Sequence, residues 1–299
     1  MLKYFQFFLL CLIWGTTYAA IKIGSDSTPP MVGLAIRYGI ALLVLFPIIR
    51  ITGRKIPVDR ASVKLYLVAG VFNMALSYLC TYWAMNFIPS SLSSILWATF
   101  PLFNGILAHM MIPSEHLNVR RLTSIIISMI GVILILSDQK LVFNTQVLIG
   151  CIVVLLGVLI GAYSNIYIKR FGDNYDPLIL TAVSLLIGGL IHLFGAFLLS
   201  QFADMTWSLR NIGAAAYLGI FGSAMAFFMY YSLLRKIEVV KMSFVTFLSP
   251  IVASLVGLTL LHEIITFKEI GGIFLIFCGL FIYDFRKYYH HYKSYKSMK

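Results

Sequence analysis

Few residues of this 299-residue chain carry chemistry inside its apolar runs, and most of them are aromatic or amide groups. Trp14, Tyr18 and Lys22 recur at i, i+4 and i+8, a spacing that sets them on one face of a helix. Tyr78 and Tyr82 form a second i, i+4 pair, and Trp97 and Tyr231 add two more aromatic groups. Asn73 and Asn165 bring amides whose exposure to lipid would be costly, so they must find polar company. Arg37 is the sharpest of these residues. It lies seven residues beyond Pro30, ~10 Å down a helix. Two readings compete: a side chain that snorkels to the nearer surface, or a cation facing protein and water in the interior. Aromatic walls with a few placed polar groups suit a small amphipathic ligand. Cations such as Arg37 and Lys22 with no buried anion opposite give that ligand a carboxylate or similar anionic group. The bland alternative is packing, or an aromatic belt at the membrane interface.

Enzymatic constellations are missing from the sequence. There is no Gly-rich phosphate loop ending in Gly-Lys-Ser/Thr and no Gly-x-Ser-x-Gly elbow. His109, His192 and His262 stand without an i+4 partner, and Cys11, Cys80, Cys151 and Cys278 form no Cys-x-x-Cys pair. No catalytic residue, metal site or cofactor is therefore expected. The eleven acidic residues all fall at the ends of apolar runs or between them, which disfavours a carboxylate proton relay at mid-membrane. Glu115 and Glu263 precede Asn118 and Thr266, expected caps of two helices. A carboxylate there is favoured by the helix dipole, so a structural role is expected over a gating one.

Composition says what must position these groups. With 60% hydrophobic and only 11% charged residues, the chain cannot cover a water-facing surface. It reads as an integral membrane protein whose surroundings are the lipid bilayer. The formal charge of +12 sits in short clusters between apolar runs, a topology signal rather than a nucleic-acid surface. Stretches of about 20 apolar residues suggest spans near 5–24, 30–50, 64–87, 90–112, 119–137, 147–168, 177–200, 211–234, 239–262 and 267–284. Ten spans with the N-terminus inside place 18 of the 23 Lys and Arg on the cytoplasmic side, whereas deleting the short fifth and tenth reverses several clusters.

The stretch from Phe100 to Gly131 then occurs twice. Pro101 answers to Pro250, Glu115 to Glu263 and Gly131 to Gly279, and Gly70, Tyr82 and Ser94 find Gly219, Tyr231 and Ser243. Repeats of odd span number enter the membrane from opposite sides. The expected fold is thus all-α, ten transmembrane helices in two inverted-topology five-helix repeats around a central cavity. The halves are 1–140 and 146–285, followed by a basic cytoplasmic tail, 286–299. Pro101 and Pro250 fall at matching mid-span positions and are expected to kink their helices as hinges.

The opening IWGTTYAAIKIG, the PPMVGLAIRYGIALL of the second run and the two proline–Glu–Gly blocks resemble the EamA-type branch of the drug/metabolite transporter superfamily. The resemblance spans nearly the whole chain. It implies a ten-helix secondary transporter with both termini cytoplasmic, moving amino acids and related small metabolites, often outward. The expected activity is export of an amino acid or derivative across the cytoplasmic (inner) membrane by alternating access, with Trp14, Tyr18, Arg37, Asn73, Tyr78, Tyr82, Trp97, Asn165 and Tyr231 at the substrate. Two alternatives stay open: an uptake or exchange carrier for a nucleotide-linked metabolite, and a non-transporting membrane scaffold. The sequence sets neither the coupling ion nor the oligomeric state.

Overall fold

The computed structural model describes residues 2–25, 28–88, 90–135, 137, 144–172, 174–202, 208–249, 251–252 and 267–297. Within these, nothing is described of the side chains of 2, 18–19, 22–25, 90–91, 269 and 284–297. Tyr18, Lys22, Pro250, Glu263 and Thr266 therefore lie, as side chains or altogether, outside the described residues.

The described chain is helical, and its start signals explain where the helices begin. α1 is Leu2–Ser25 and α2 is Pro30–Ile51, with a proline at its first position where no N–H is needed. α3, Arg60–Ala84, is capped by Asp59, whose carboxylate accepts from the N–H groups of Ala61 and Ser62. The Ser62 hydroxyl, which donates to Asp59 Oδ2 at 2.7 Å, and these backbone bonds hold the Asp59 carboxyl below its usual range. α4 (Ser90–Trp97) and α5 (Phe100–Met111) follow each other across a break at residues 98–99. α6 is Val119–Ile135, and the expected cap is present: Asn118 Oδ1 accepts from Arg121 N at 3.0 Å. Asn144 caps α7 (Thr145–Phe171) and Asp176 caps α8 (Pro177–Leu198). Ser208 caps α9 (Leu209–Leu234). α10 is Val239–Ser249 and α11 is Phe267–Ser297. No Gly or Pro follows Gly279, and residues 286–297 continue α11 as helix.

Six of the described helical stretches are long and apolar enough to cross a membrane: α2, α3, Leu92–Met111, α7, α8 and α9. They coincide with the second, third, fourth, sixth, seventh and eighth expected spans. α1, α6, α10 and α11 occupy the remaining four, with Val239–Ser249 and Ile270–Tyr283 as shorter apolar pieces. Pro101 lies in the span Leu92–Met111, which is interrupted by a turn at residues 98–99 just ahead of it. It stands at the start of α5, where the helix has already been interrupted and a missing N–H costs nothing.

Polarity is arranged inside out. Leu43, Phe197 and Phe274 point outward at 76%, 74% and 67% exposure, while Arg37, Asn104, Asn165 and His192 are buried. Lipid accepts the first set and would reject the second. Two long helices wind locally as π-helix, α3 over Val68–Ser77 and α9 over Ile220–Met225. In or beside these segments the chain comes close to its neighbours. A Cβ on Gly70 would stand 2.6 Å from Ile187 Cβ and 3.1 Å from Ser184 O, and one on Gly219 would stand 2.7 Å from Ile40 Cβ and 2.9 Å from Arg37 O. Likewise a Cβ on Gly131 would meet Gly272 O at 2.6 Å, and one on Gly279 would meet Ser124 O at 2.7 Å, so α6 and α11 touch backbone to backbone.

Candidate functional site

Arg37, on the second turn of α2, is 1% exposed. Its Nε donates to Ser223 Oγ at 2.6 Å, Nη2 to the Gly222 carbonyl at 2.9 Å and Nη1 to Tyr82 Oη at 3.1 Å. The Tyr78 ring lies 5.1 Å from the guanidinium carbon, within cation–π range. Gly222 and Ser223 belong to the π-wound segment of α9, and a Cβ on Gly222 would come 3.5 Å from Nη2. All four partners are neutral. Among the described residues no carboxylate is in ion-pair distance of Arg37, and a guanidinium does not shed its proton in a protein. The snorkelling reading is therefore replaced by the interior one.

Arg37 forms part of the wall of a partly open cavity whose space between atoms, open solvent included, is about 750 Å³. α1 contributes Trp14, Thr17 and Ile21; α3 contributes Asn73, Tyr78, Thr81 and Tyr82. Trp97 and Phe100 flank the break between α4 and α5, Asn165 comes from α7, Phe227 and Tyr230 from α9, and Thr246 and Ser249 from α10. The rings interlock: Trp14 lies 5.2 Å from Tyr230 and 5.7 Å from Phe227, and Tyr78 lies 5.8 Å from Phe227. Trp97 Nε1 donates to Thr81 Oγ1 at 3.1 Å, which fixes its ring against the α3 wall.

At one end of the cavity Asn165 Nδ2 meets Tyr230 Oη at 2.5 Å, and Asn73 Nδ2 makes a long 3.5 Å contact with Tyr231 Oη. Two groups of the cavity lining, Trp14 Nε1 and Asn165 Oδ1, are buried without a hydrogen-bond partner. Unpaired polar atoms beside a cavity are what a ligand or water would satisfy. The structure thus brings Trp14, Arg37, Asn73, Tyr78, Tyr82, Trp97 and Asn165 to one space. Tyr231 is fully buried behind Asn73 and does not line it; Tyr230 does. The sequence reasoning missed Tyr230, Phe227, Phe100, the two threonines of α1 and α3, and the pair on α10. Thr17 and Thr81 share a helix face with residues already singled out, so i, i+3 spacing could have found them.

A second polar cluster lies one helical turn past this end, ~6 Å away. Lys169 is one turn beyond Asn165 on α7, and Leu234 one turn beyond Tyr230 on α9. Lys169 Nζ donates to Leu234 O at 2.7 Å and to Ile237 O at 2.9 Å, taking up carbonyls at the C-terminus of α9. Glu115 is 4% exposed, and its Oε2 accepts from Val239 N at 2.9 Å. It therefore caps α10, not the α6 that follows it in sequence. Proximity in the fold, invisible in the order of residues, decides this correction. Burial pushes the Glu115 carboxyl above its usual range, against the Val239 bond and the nearby Lys169 and Arg121. Glu238 completes the cluster, accepting from Arg121 Nη2 at 2.8 Å and from Tyr283 Oη at 2.9 Å.

Comparison with known proteins gives this arrangement a context. The EamA-like transporter family model matches residues 1–137 and again 148–283. The chain is 27% identical to Uncharacterized transporter YoaV of Bacillus subtilis over 276 residues, 92% of this chain and 94% of the relative. It is 27% identical to Protein PecM of Dickeya dadantii, covering 94% and 91% of the two chains, and 26% identical to Uncharacterized inner membrane transporter YedA of Escherichia coli, covering 84% and 80%. A protein of known crystal structure shares the fold with a TM-score of 0.79 at 16% identity, over 93% of this chain and 94% of its own. A membrane protein matched twice over by one family model, and alike along its length to proteins named as transporters, belongs to the EamA-like transporter family.

Proposed function

We propose that the protein exports a small carboxylate-bearing metabolite, an amino acid or a derivative, across the cytoplasmic membrane by alternating access. The observation that carries this reading is Arg37, a buried cation in a cavity wall whose described partners are all neutral. An isolated charge in the membrane interior is expensive and takes an anionic partner when one is offered. The guanidinium takes the acid group, the rings of Trp14, Tyr78, Phe227 and Tyr230 hold the apolar body, and the unpaired atoms of Trp14 and Asn165 meet its remaining polar groups.

The architecture belonging to this reading is ten spans in two inverted halves, 1–140 and 146–285, with both termini cytoplasmic. Two observations support it. One family model matches each half separately. The close contacts are also reciprocal: Gly70 rests on Ser184 and Ile187 just as Gly219 rests on Arg37 and Ile40, and Gly131 on Gly272 as Gly279 on Ser124. Paired contacts of this form arise when two like halves meet across a pseudo-two-fold axis. The break ahead of Pro101 supplies a hinge on one side, with Pro250 its counterpart by sequence.

Purified protein in liposomes loaded with a panel of labelled amino acids should release at least one of them faster than empty vesicles do. Arg37→Ala and Tyr82→Ala should each slow that release. Unchanged release in both variants would remove the site assignment, and release of none of the panel would remove the substrate class.

A further inference from the structure

We propose that Glu115, the N-terminus of α10 and Lys169 form the latch that seals the cavity from the cytoplasm, and that Glu115 is its positioning residue. The inference rests on the alternating-access reading above. Three features lead to it. The contact is long-range: Glu115 lies between α5 and α6, and the N–H it holds belongs to Val239, at the start of α10. It lies directly under the cavity, since Lys169 and Leu234 follow Asn165 and Tyr230 by one turn on the same helices. The same two helices therefore form the cavity end and the seal, and separating one opens the other.

The third feature is how the seal is bonded. Lys169 holds the carbonyls of Leu234 and Ile237, and Glu115 holds the amide of Val239, so both sides of the α9–α10 corner are gripped by charged side chains. Opening toward the cytoplasm releases Glu115 to water, where its pKa returns to the ordinary carboxylate value. In the sealed state the burial that dominates its surroundings raises that value. The charged groups facing it are Lys169 on α7, Arg121 on α6 and Glu238 at the α9–α10 corner, with Tyr283 of α11 bonded to Glu238. The sealed state thus binds the proton more tightly. Lowering the pH through the raised pKa favours the seal, and raising it favours opening. A protonated Glu115 still accepts from Val239 through its carbonyl oxygen, so acid closes the latch without breaking it.

The test uses the full chain in inside-out vesicles, with Cys11, Cys80, Cys151 and Cys278 changed to Ser and one cysteine placed by Asn165→Cys in the lining at the cavity end. The readout is the rate at which a membrane-impermeant maleimide reaches it from the cytoplasmic side, corrected at each pH for the thiolate reactivity of a free thiol. Glu115→Ala, which leaves the Val239 amide unbonded, should speed labelling about tenfold. Glu115→Gln, which keeps an acceptor but not a charge, should label slowly at every pH, whereas the parent should label faster as pH rises. A parental rate in Glu115→Ala, or a pH response kept by Glu115→Gln, overturns the latch. If Glu115→Ala does not fold, the pH response of Glu115→Gln decides alone. No substrate is needed, so a wrong substrate class leaves the result standing, while labelling absent from every variant defeats the latch and alternating access together.

Discussion

Replacing Arg37 by Met separates a binding residue from a structural one. The substitution keeps a long side chain and removes the charge. In the empty protein it deletes three hydrogen bonds and leaves Ser223 Oγ and the Gly222 carbonyl unpaired; Tyr82 lines the cavity and can turn to water. Orphaned groups of this kind cost about 1–3 kcal/mol each. Against that, removing a buried charge with no counter-charge returns a desolvation penalty of several kcal/mol. The two nearly cancel, so the melting temperature in detergent should stay within about 3 °C of the parent. Binding has no such compensation. A carboxylate on the guanidinium gains two charge-assisted hydrogen bonds of about 1.5 kcal/mol or more each, and losing ~3 kcal/mol weakens binding roughly 150-fold. The assay pairs a thermal melt with a binding titration, using the amino acid that the liposome panel identifies. A large drop in melting temperature with affinity intact would refute the reasoning, because Arg37 would then hold the helices together rather than the substrate.

The adjacent tyrosines give a second prediction: Tyr230→Phe should weaken substrate binding about tenfold and Tyr231→Phe much less, measured by the same titration. Ala at Gly70 or Gly219 forces a Cβ to within 2.7 Å of a neighbour and should cost about 1–3 kcal/mol, whereas Gly39→Ala, with open space around it, should not; thermal unfolding compares them. Single cysteines at Arg170 and Lys140 should react with impermeant reagent from opposite faces of the membrane. Reaction from the same face would contradict the inverted halves.

What could be read from the sequence followed simple physical rules. Hydropathy located the helices because lipid demands long apolar runs, and Asn118 announced the start of α6 because a cap acts on its own helix. Arg37 stood out because charge in such a run is rare. Other features depend on the fold. Tyr82 was aligned with Tyr231, yet Tyr230 and not Tyr231 lines the cavity from α9 beside Phe227. π-winding ahead of both positions, ten residues long in α3 and six in α9, shifts the helix face, and a 3.6-residue period does not foresee it. Glu115 was assigned to the helix beside it in sequence, whereas its partner lies 124 residues away. Pro101 announced a kink, but that the span turns at residues 98–99, between the cavity-wall rings of Trp97 and Phe100, could not be read from the sequence.

The bare positive charge on Arg37 has an electrical consequence. Under the proposed function, a derivative with net negative charge would neutralise it on the loaded step, whereas a zwitterionic amino acid would leave it in place; the unloaded carrier would in either case return with one elementary charge uncompensated. Moving a full charge through the membrane field is worth about 2.3 kcal/mol per 100 mV. If the guanidinium samples even a third of that field, resting voltage biases the return step by a few-fold, and the turnover of this protein becomes a function of membrane potential as well as of concentration.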